Sequence, residues 1–308
     1  MAVGTMSGGM RSLFLLLALA PVCSSLSTIV YGPGSLELRL LTAKLAARDG
    51  FDSSLYAGDE DRVAKQCRSW LYGKEYANAG IDAPGNAKVL QDTEDLGAAL
   101  AAATNMCLVC DCNPLPEGVL GTLLANTPSL KRIVLLSKMG VTRAKPGPFG
   151  MPNGDVALFE NEKTIRSQAD ARDVELSIVR VGSLKGGGPG ELEDGSKNVG
   201  DDELGLAKPY YDGIVDLSTY MITQSHDRFT VGAKLLPGDP TDLPNAFMRK
   251  AMGDSFEARD DETNRIVAAA AAVHALCRHP TPVDISVGAA KATALPTVGE
   301  WEDLFAAL

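Results

Sequence analysis

Residues 27–51 of the chain read STIVYGPGSLELRLLTAKLAARDGF and contain three patterns in succession. The first five residues are apolar or β-branched, which favours a strand. The last part carries leucine and alanine at helical spacing up to Gly50. Between them lies Gly32-Pro33-Gly34. This order predicts a strand, a glycine turn and a helix.

The turn is suited to the pyrophosphate of a dinucleotide. Gly32 permits a tight turn, Gly34 allows the backbone to approach a phosphate, and the helix start at Ser35 and Leu36 supplies free N–H groups. Glu37 stands where the G-x-G-x-x-G spacing has its third glycine, and its carboxylate would compete with a phosphate for those N–H groups. An ordinary strand-to-helix turn is the alternative.

Length and charge narrow the class of protein. The chain has 308 residues, of which 45% are hydrophobic, so it can bury one full α/β core. Its formal net charge is −10, which repels a phosphate-rich polymer. The composition therefore argues against nucleic-acid binding.

The first 26 residues have the pattern of a signal peptide. Arg11 precedes the apolar run Leu13–Ala20, which is too short to span a bilayer, and small residues follow it at 21–25. We expect residues 1–26 to be cleaved, which leaves no transmembrane segment in the mature chain.

The cysteines bear on the compartment. Five remain after position 26, an odd number without framework spacing, so a disulfide-stapled fold is not indicated. Cys107, Cys110 and Cys112 alternate faces along a strand, and no metal site is predicted. A signal peptide on a chain whose cysteines are expected to be reduced suggests that the protein reaches a plastid through the secretory route. The ER lumen and secretion are the alternatives.

Beyond the first helix, strand and helix patterns alternate through six units. The remaining strands are expected at 53–57, 88–90, 105–110, 131–136 and 176–181. This alternation predicts an α/β fold, a doubly wound, mostly parallel, Rossmann-like sheet, in one domain over residues 27–308.

Two later regions differ in character. Residues 185–208 are rich in glycine and acids and are predicted to form a lid, a partner-binding surface or a disordered insert. Residues 209–308 are predicted to form a small C-terminal cap with the last strand and helices. The cap elements are expected at 213–224, 228–231, 246–252, 262–277 and 284–287, followed by a short closing helix.

The end of the second strand should face the adenosine ribose. There Asp59 would accept from the 2′-hydroxyl of NAD, whereas Arg62 would accommodate the 2′-phosphate of NADP. Because these two side chains oppose each other, we expect the affinities for NAD and NADP to be poorly separated. A solvated helix-cap cluster is the alternative.

Strands four and six should end over the same site. Asp111 and Cys112 follow the fourth strand, and Val181 and Gly182 end the sixth. The full set of candidate cofactor-binding residues is Gly32, Pro33, Gly34, Ser35, Leu36, Asp59, Arg62, Asp111, Cys112, Val181 and Gly182.

Four segments, in this order and spacing, resemble the atypical short-chain dehydrogenase/reductase family, in its NmrA-like and plastid assembly-factor branch. They are GPGSLE (32–37), IVLLSKMG (133–140), SIVRVGSL (177–184) and RIVAAAAAVHAL (265–276). The resemblance implies a Rossmann core that binds NAD or NADP. It also implies an assembly role in which the acidic lid or the cap contacts a protein partner.

The same resemblance implies a catalytic serine after strand five and a Tyr-x-x-x-Lys on the next helix. Ser137 and Lys163 match the serine and the lysine, but Phe159 stands in the tyrosine position and cannot donate a proton. We therefore expect a binding or regulatory protein. The alternative is an NAD(P)H-dependent oxidoreductase of small carbonyl, enone or quinone substrates with another proton donor, and a scaffold without cofactor is a third possibility.

Overall fold

The computed structural model describes residues 26–147, 153–189, 204–240 and 261–308. Residues 1–25 of the predicted signal peptide, residues 190–203 of the predicted lid and the helix expected at 246–252 lie outside the described residues.

An eight-stranded sheet forms the centre of the molecule. Its strands are β1 (Ser27–Tyr31), β2 (Asp52–Tyr56), β3 (Lys88–Leu90), β4 (Asn105–Val109), β5 (Arg132–Lys138), β6 (Glu175–Val181), β8 (Gly232–Pro237) and β10 (Asp284–Ala290). They lie in the order β3-β2-β1-β4-β5-β6-β10-β8, and all neighbours are parallel except β8, which runs antiparallel to β10. The predicted doubly wound, Rossmann-like fold is confirmed.

Helices cover both faces of the sheet. They are α1 (Leu36–Arg48), α2 (Asp61–Tyr72), α3 (Lys74–Ala79), α4 (Thr93–Ala102), α5 (Val119–Ala125), α6 (Gly154–Asp170), α7 (Pro209–Asp212), α8 (Leu217–Phe229), α9 (Arg265–Cys277) and α10 (Val298–Ala306). One apolar core lies under α1 and α9, and a second lies under α4, α5 and α6. Because both faces are covered, every residue of β4 is buried, and its sequence NMCLV is largely apolar.

The C-terminal region differs from the predicted cap. A strand was expected at 228–231, but Arg228 and Phe229 finish α8 and the strand is β8, six residues long. Both β8 and β10 extend the main sheet. Val231, between α8 and β8, is buried and apolar like a strand residue. The helix pattern of α8 and the strand pattern of β8 therefore merge in the sequence.

A second sheet has only two strands, β7 (Ser183–Lys185) and β9 (Glu262–Asn264), which pair in parallel. The sequence analysis did not predict either strand, because residues 183–185 and 262–264 are mainly polar and contain no apolar run. Residues 262–264 were instead expected to begin the helix that starts at Arg265.

The sheet order places a crevice between β1 and β4. The chain runs outward from β1 through β2 to β3, and then returns to the other side of β1 as β4. Ligands of open α/β sheets bind beyond the carboxyl ends of the strands at such a reversal. Among the described residues, no helix is both long and apolar enough to cross a bilayer.

Candidate functional site

The glycine turn packs directly on the end of β4. The Gly34 N–H donates to the Val109 carbonyl at 2.9 Å. A Cβ atom at Gly32 or at Gly34 would collide with that same carbonyl, and Gly32 also has a φ of +141°. Only glycine fits these two positions, because the turn packs on the backbone of β4; the approach to a phosphate expected at Gly34 stays a prediction.

The Asp111 carboxylate lies at the start of α1. It accepts the Ser35 N–H at 2.8 Å and also the Ser35 hydroxyl, while the Asn113 side-chain amide donates to the Pro33 carbonyl at 3.1 Å. Asp111 is only 9% exposed. The segment after β4 is therefore fixed to the glycine turn by side-chain hydrogen bonds.

The first N–H groups of α1 face this crevice without intrahelical acceptors, as at any helix start. They belong to Leu36, Glu37 and Leu38, and the partial positive charge of the helix is concentrated there. Glu37 was the expected competitor for a phosphate. The carboxylate that takes an amide at this turn is that of Asp111, which the sequence analysis placed near the site without anticipating the contact.

Arg39 adds a cation that the sequence analysis missed. Its guanidinium is 3.4 Å from the Tyr56 carbonyl, and its Nε is buried with no hydrogen-bond partner among the residues described. Burial lowers its pKa, whereas the nearby Asp111 favours the charged form. The available signal was a basic residue on the otherwise buried stretch of α1 between Leu38 and Leu40.

The ends of β1 and β2 carry two stacked tyrosines. The rings of Tyr31 and Tyr56 are 5.9 Å apart and nearly parallel. The Tyr56 hydroxyl donates to Asp59 at 2.6 Å, and this hydrogen bond raises the pKa of Tyr56 to about 12. Asp59, the predicted ribose ligand, is thus hydrogen-bonded to Tyr56. Arg62, the predicted 2′-phosphate ligand, lies on α2 and lines a separate cavity.

The candidate catalytic residues occupy different environments. Ser137 is buried near the end of β5. The Lys163 ammonium is exposed, 2.8 Å from Glu160 and 4.3 Å from the centre of the Phe159 ring. Lys163 therefore pairs within its own helix, and its assignment as the lysine of a catalytic pair stays a prediction.

The face of α6 that meets the sheet carries a buried ion pair instead. Both oxygens of Glu162 accept from the Arg180 guanidinium, at 3.0 and 2.7 Å, and Asp284 is a third member. Arg180 lies beside Ser137 in the β5–β6 register. This pair fixes α6 against β6 next to the candidate serine.

Asn161 of α6 reaches the segment after β4. Its Oδ1 accepts from the Leu115 N–H at 3.1 Å, and its side chain interacts with the Cys110 thiol. Burial raises the pKa of the neighbouring Cys110 to about 12, so this thiol is neutral. Cys112 is exposed, and desolvation raises its pKa too. The described residues contain no group of three potential metal ligands.

Gly182, which follows the end of β6, contacts the second sheet. The Gly182 N–H donates to the Thr263 hydroxyl at 2.9 Å, and a Cβ at Gly182 would collide with the Asp261 carbonyl. Val181 is the last residue of β6, pairs with β5 and β10, and is 1% exposed. The structure thus brings the residues at 32–36 together with 111 and 112, while 182 contacts β9.

No protein-family model and no curated protein matches this sequence. Solved structures do match. They include a reductase studied by structure-guided engineering (12% identity, 87% of this chain and 80% of that one, TM-score 0.47). A UDP-N-acetylglucosamine 4-epimerase from Bacillus cereus matches at 12% identity over 91% and 83% of the two chains, with a TM-score of 0.40.

A third matching structure is an NADPH-bound short chain oxidoreductase from Pseudomonas aeruginosa with an atypical catalytic centre. Its identity is 14%, the match covers 53% of this chain and 74% of that one, and the TM-score is 0.35. The structures similar to this chain thus include a reductase, an epimerase and a short chain oxidoreductase.

The residues at the turn fit a dinucleotide diphosphate in two respects and oppose it in one. The two glycines let the turn pack closely on the end of β4, and the start of α1 offers N–H groups and partial positive charge. The Asp111 carboxylate already accepts the backbone N–H of Ser35 and would repel a phosphate. Arg39 supplies a compensating positive charge beside it.

Proposed function

We propose that the chain binds NAD or NADP at the glycine turn between β1 and β4. The observation that carries the proposal is the packing of Gly32 and Gly34 on the Val109 carbonyl, which places the start of α1 beside the carboxyl end of β4. The Leu36 and Glu37 N–H groups would hold the diphosphate. Arg39 would balance its charge.

Several side chains around the turn have a defined part in this proposal. When bound, a nicotinamide dinucleotide supplies hydride chemistry. Ser35 would exchange its bond to Asp111 for one to a phosphate, and Tyr31 and Tyr56 would form the wall beside the adenosine. Asp59 and Arg62 lie near the end of β2 and the start of α2, where they would select between the 2′-hydroxyl and the 2′-phosphate.

We favour a binding or regulatory role over standard hydride transfer. Phe159 cannot donate a proton, and the Lys163 ammonium interacts with Phe159 and Glu160. The NmrA-like assembly role and a protein partner for the acidic lid or the cap are parts of this proposal. So is a plastid location, which imaging of a fluorescent fusion of the full chain would test.

Fluorescence titration with NADH and NADPH tests the binding proposal. We expect saturable binding of both, with affinities that differ by less than about tenfold. The bound protein is then mixed with small carbonyls, enones and quinones, and cofactor oxidation is followed at 340 nm. Turnover would overturn the purely regulatory role, and absence of saturation with both cofactors would overturn the binding proposal itself.

A further inference from the structure

A second cavity lies between α2 and α3, on the side of the molecule formed by these two helices. Its volume is about 300 Å³. From α2 it is lined by Arg62, Lys65, Gln66 and Ser69, and from α3 by Lys74 and Asn78. Residues at positions 62, 65, 66 and 69 share one face of a helix, so they form a row about 10 Å long. The glycine turn contributes no residue to this cavity.

The charge of the cavity is opposite to that of the protein. It contains three cationic side chains and no acidic one, whereas the chain has a formal net charge of −10. Lys74 is 3.6 Å from Asp212, and both side chains are largely exposed. Within the described residues, neither Arg62 nor Lys65 forms an ion pair. Arg62 and Lys65 lie on neighbouring turns of α2 and repel each other, and a bound anion would relieve that repulsion.

The other lining groups suit a phosphate-bearing anion. The hydroxyl of Ser69 and the amides of Gln66 and Asn78 are hydrogen-bond donors, and the arginine fork matches phosphate oxygens. A cavity of this size is at the lower end of the range for small-molecule sites and exceeds what a single phosphate fills. Its three positive charges would match a group with two linked phosphates.

Trp70 forms an apolar wall of the same cavity. It is half-buried, its ring stands edge-on to Tyr210 at 5.4 Å, and its carbonyl accepts from the Ala207 N–H at 2.6 Å. The hydrogen bond holds the backbone of Trp70, and the Tyr210 ring packs on its indole. The indole therefore provides a surface for the organic part of a phosphate ester and a fluorescent reporter inside the site.

We propose that this cavity is a binding site for a small anion with two or more phosphate groups, distinct from the glycine turn and sharing only Arg62 with the proposed dinucleotide site. Arg62, Lys65 and Lys74 bind its phosphates, and Ser69, Gln66 and Asn78 add neutral hydrogen bonds. The ligand is either inorganic pyrophosphate or a nucleotide whose organic part lies on Trp70.

The test uses Trp70 emission. The chain has two tryptophans, and Trp301 packs on His274 and Phe305, so Trp301→Phe leaves Trp70 as the only indole. This variant is titrated with inorganic pyrophosphate and, separately, with ADP. We expect a saturable change in emission, tighter with ADP if the organic part contacts the indole. Calorimetry on the wild-type chain repeats the titrations without relying on the variant.

A charge-reversal substitution tests whether the anion binds in this cavity. Lys65→Glu should weaken pyrophosphate and ADP binding by about tenfold or more, because it replaces an attraction with a repulsion. Lys131→Glu is the matched control, since Lys131 is exposed just before β5 and lines neither site. Far-UV circular dichroism confirms that each variant is folded.

The outcomes separate this site from the dinucleotide site. Lys65→Glu should keep its NADPH affinity, whereas loss of dinucleotide binding at the glycine turn should leave the Trp70 response unchanged. No saturable binding of either probe to the wild-type chain would overturn the proposal. Equal weakening by Lys65→Glu and Lys131→Glu would overturn it too, because it would show only a general charge effect.

Discussion

The Asp111 carboxylate accepts both the backbone N–H and the hydroxyl of Ser35, 76 residues earlier in the chain. A negative group from the end of β4 thus occupies the helix start where a dinucleotide phosphate would bind. Asp111 caps α1 in the free protein, and a bound diphosphate would have to take over that role. The crevice therefore contains an internal competitor for its own ligand.

Gly34→Ala tests the close contact of the turn with β4. The added Cβ would collide with the Val109 carbonyl and with the Asp111 carboxylate. We expect the free energy of unfolding to fall by about 2 kcal/mol and NADPH affinity to fall at least about tenfold, because the turn must move. Urea unfolding and fluorescence titration measure the two effects.

The matched control for this variant is Gly97→Ala, in the middle of α4. Nothing lies within 4 Å of a Cβ atom there. Since alanine is the better helix former, we expect this variant to gain up to about 1 kcal/mol and to keep its NADPH affinity. If Gly34→Ala behaved like Gly97→Ala, the turn would not be the phosphate site.

The buried ion pair between Glu162 and Arg180 should contribute to stability. Glu162→Gln leaves a buried guanidinium with only Asp284 as a charged partner, and we expect a loss of about 3 kcal/mol in urea unfolding. Glu160→Gln removes the same charge from the exposed pair with Lys163 and should cost less than about 0.5 kcal/mol. Equal losses of unfolding free energy in the two variants would show that the buried pair contributes no more to stability than the exposed one.

Asp227 should make stability depend on pH. It is fully buried and accepts from the Gly187 and Gly188 N–H groups at 2.6 and 2.8 Å and from the Tyr211 hydroxyl at 2.6 Å. Burial raises its pKa from 3.8 to about 6, although the hydrogen bonds oppose this shift. The folded state therefore binds a proton more tightly than the unfolded state.

A pKa that is higher in the folded state stabilises the protein below pH 4, and this contribution is lost as the pH rises through about 6. We expect the unfolding free energy of the wild type, relative to Asp227→Asn, to fall by up to about 3 kcal/mol between pH 4 and pH 7. The subtraction removes the opposite contribution of His226, whose pKa is lowered to about 4 by burial. A difference that did not change with pH would contradict the assignment.

The fold was predictable because its signals are local. The strands at Ser27–Tyr31 and Lys88–Leu90 have the predicted bounds, β2, β4, β5 and β6 lie within two residues of their expected limits, and β10 extends three residues beyond the expected 284–287. Buried parallel strands read as apolar runs, and helices between them read as 3.6-residue repeats. The short strands β7 and β9 lack such a signal, and β8 directly follows an amphipathic helix, which obscured where it begins.

The site was predictable only in part. The glycine turn has a local signature, so its position followed from the sequence. The carboxylate of Asp111 reaches Ser35 across two strands, and no spacing rule connects residues 76 positions apart. Similarly, Lys163 is exposed because α6 is oriented so that Glu162 pairs with Arg180 of β6. That ion pair is a tertiary contact, which the sequence does not reveal.

Calorimetric titration of the wild type and of Asp111→Asn with NADPH tests the competition at the turn most directly. Two unit charges about 5 Å apart repel by about 3 kcal/mol at an effective dielectric constant near 20, so we expect Asp111→Asn to bind NADPH at least about tenfold more tightly. Asp303→Asn, which removes an exposed carboxylate from α10, is the control and should bind like the wild type. Saturable binding that tightens only in Asp111→Asn is the predicted result; no binding of NADPH to either protein would contradict the account.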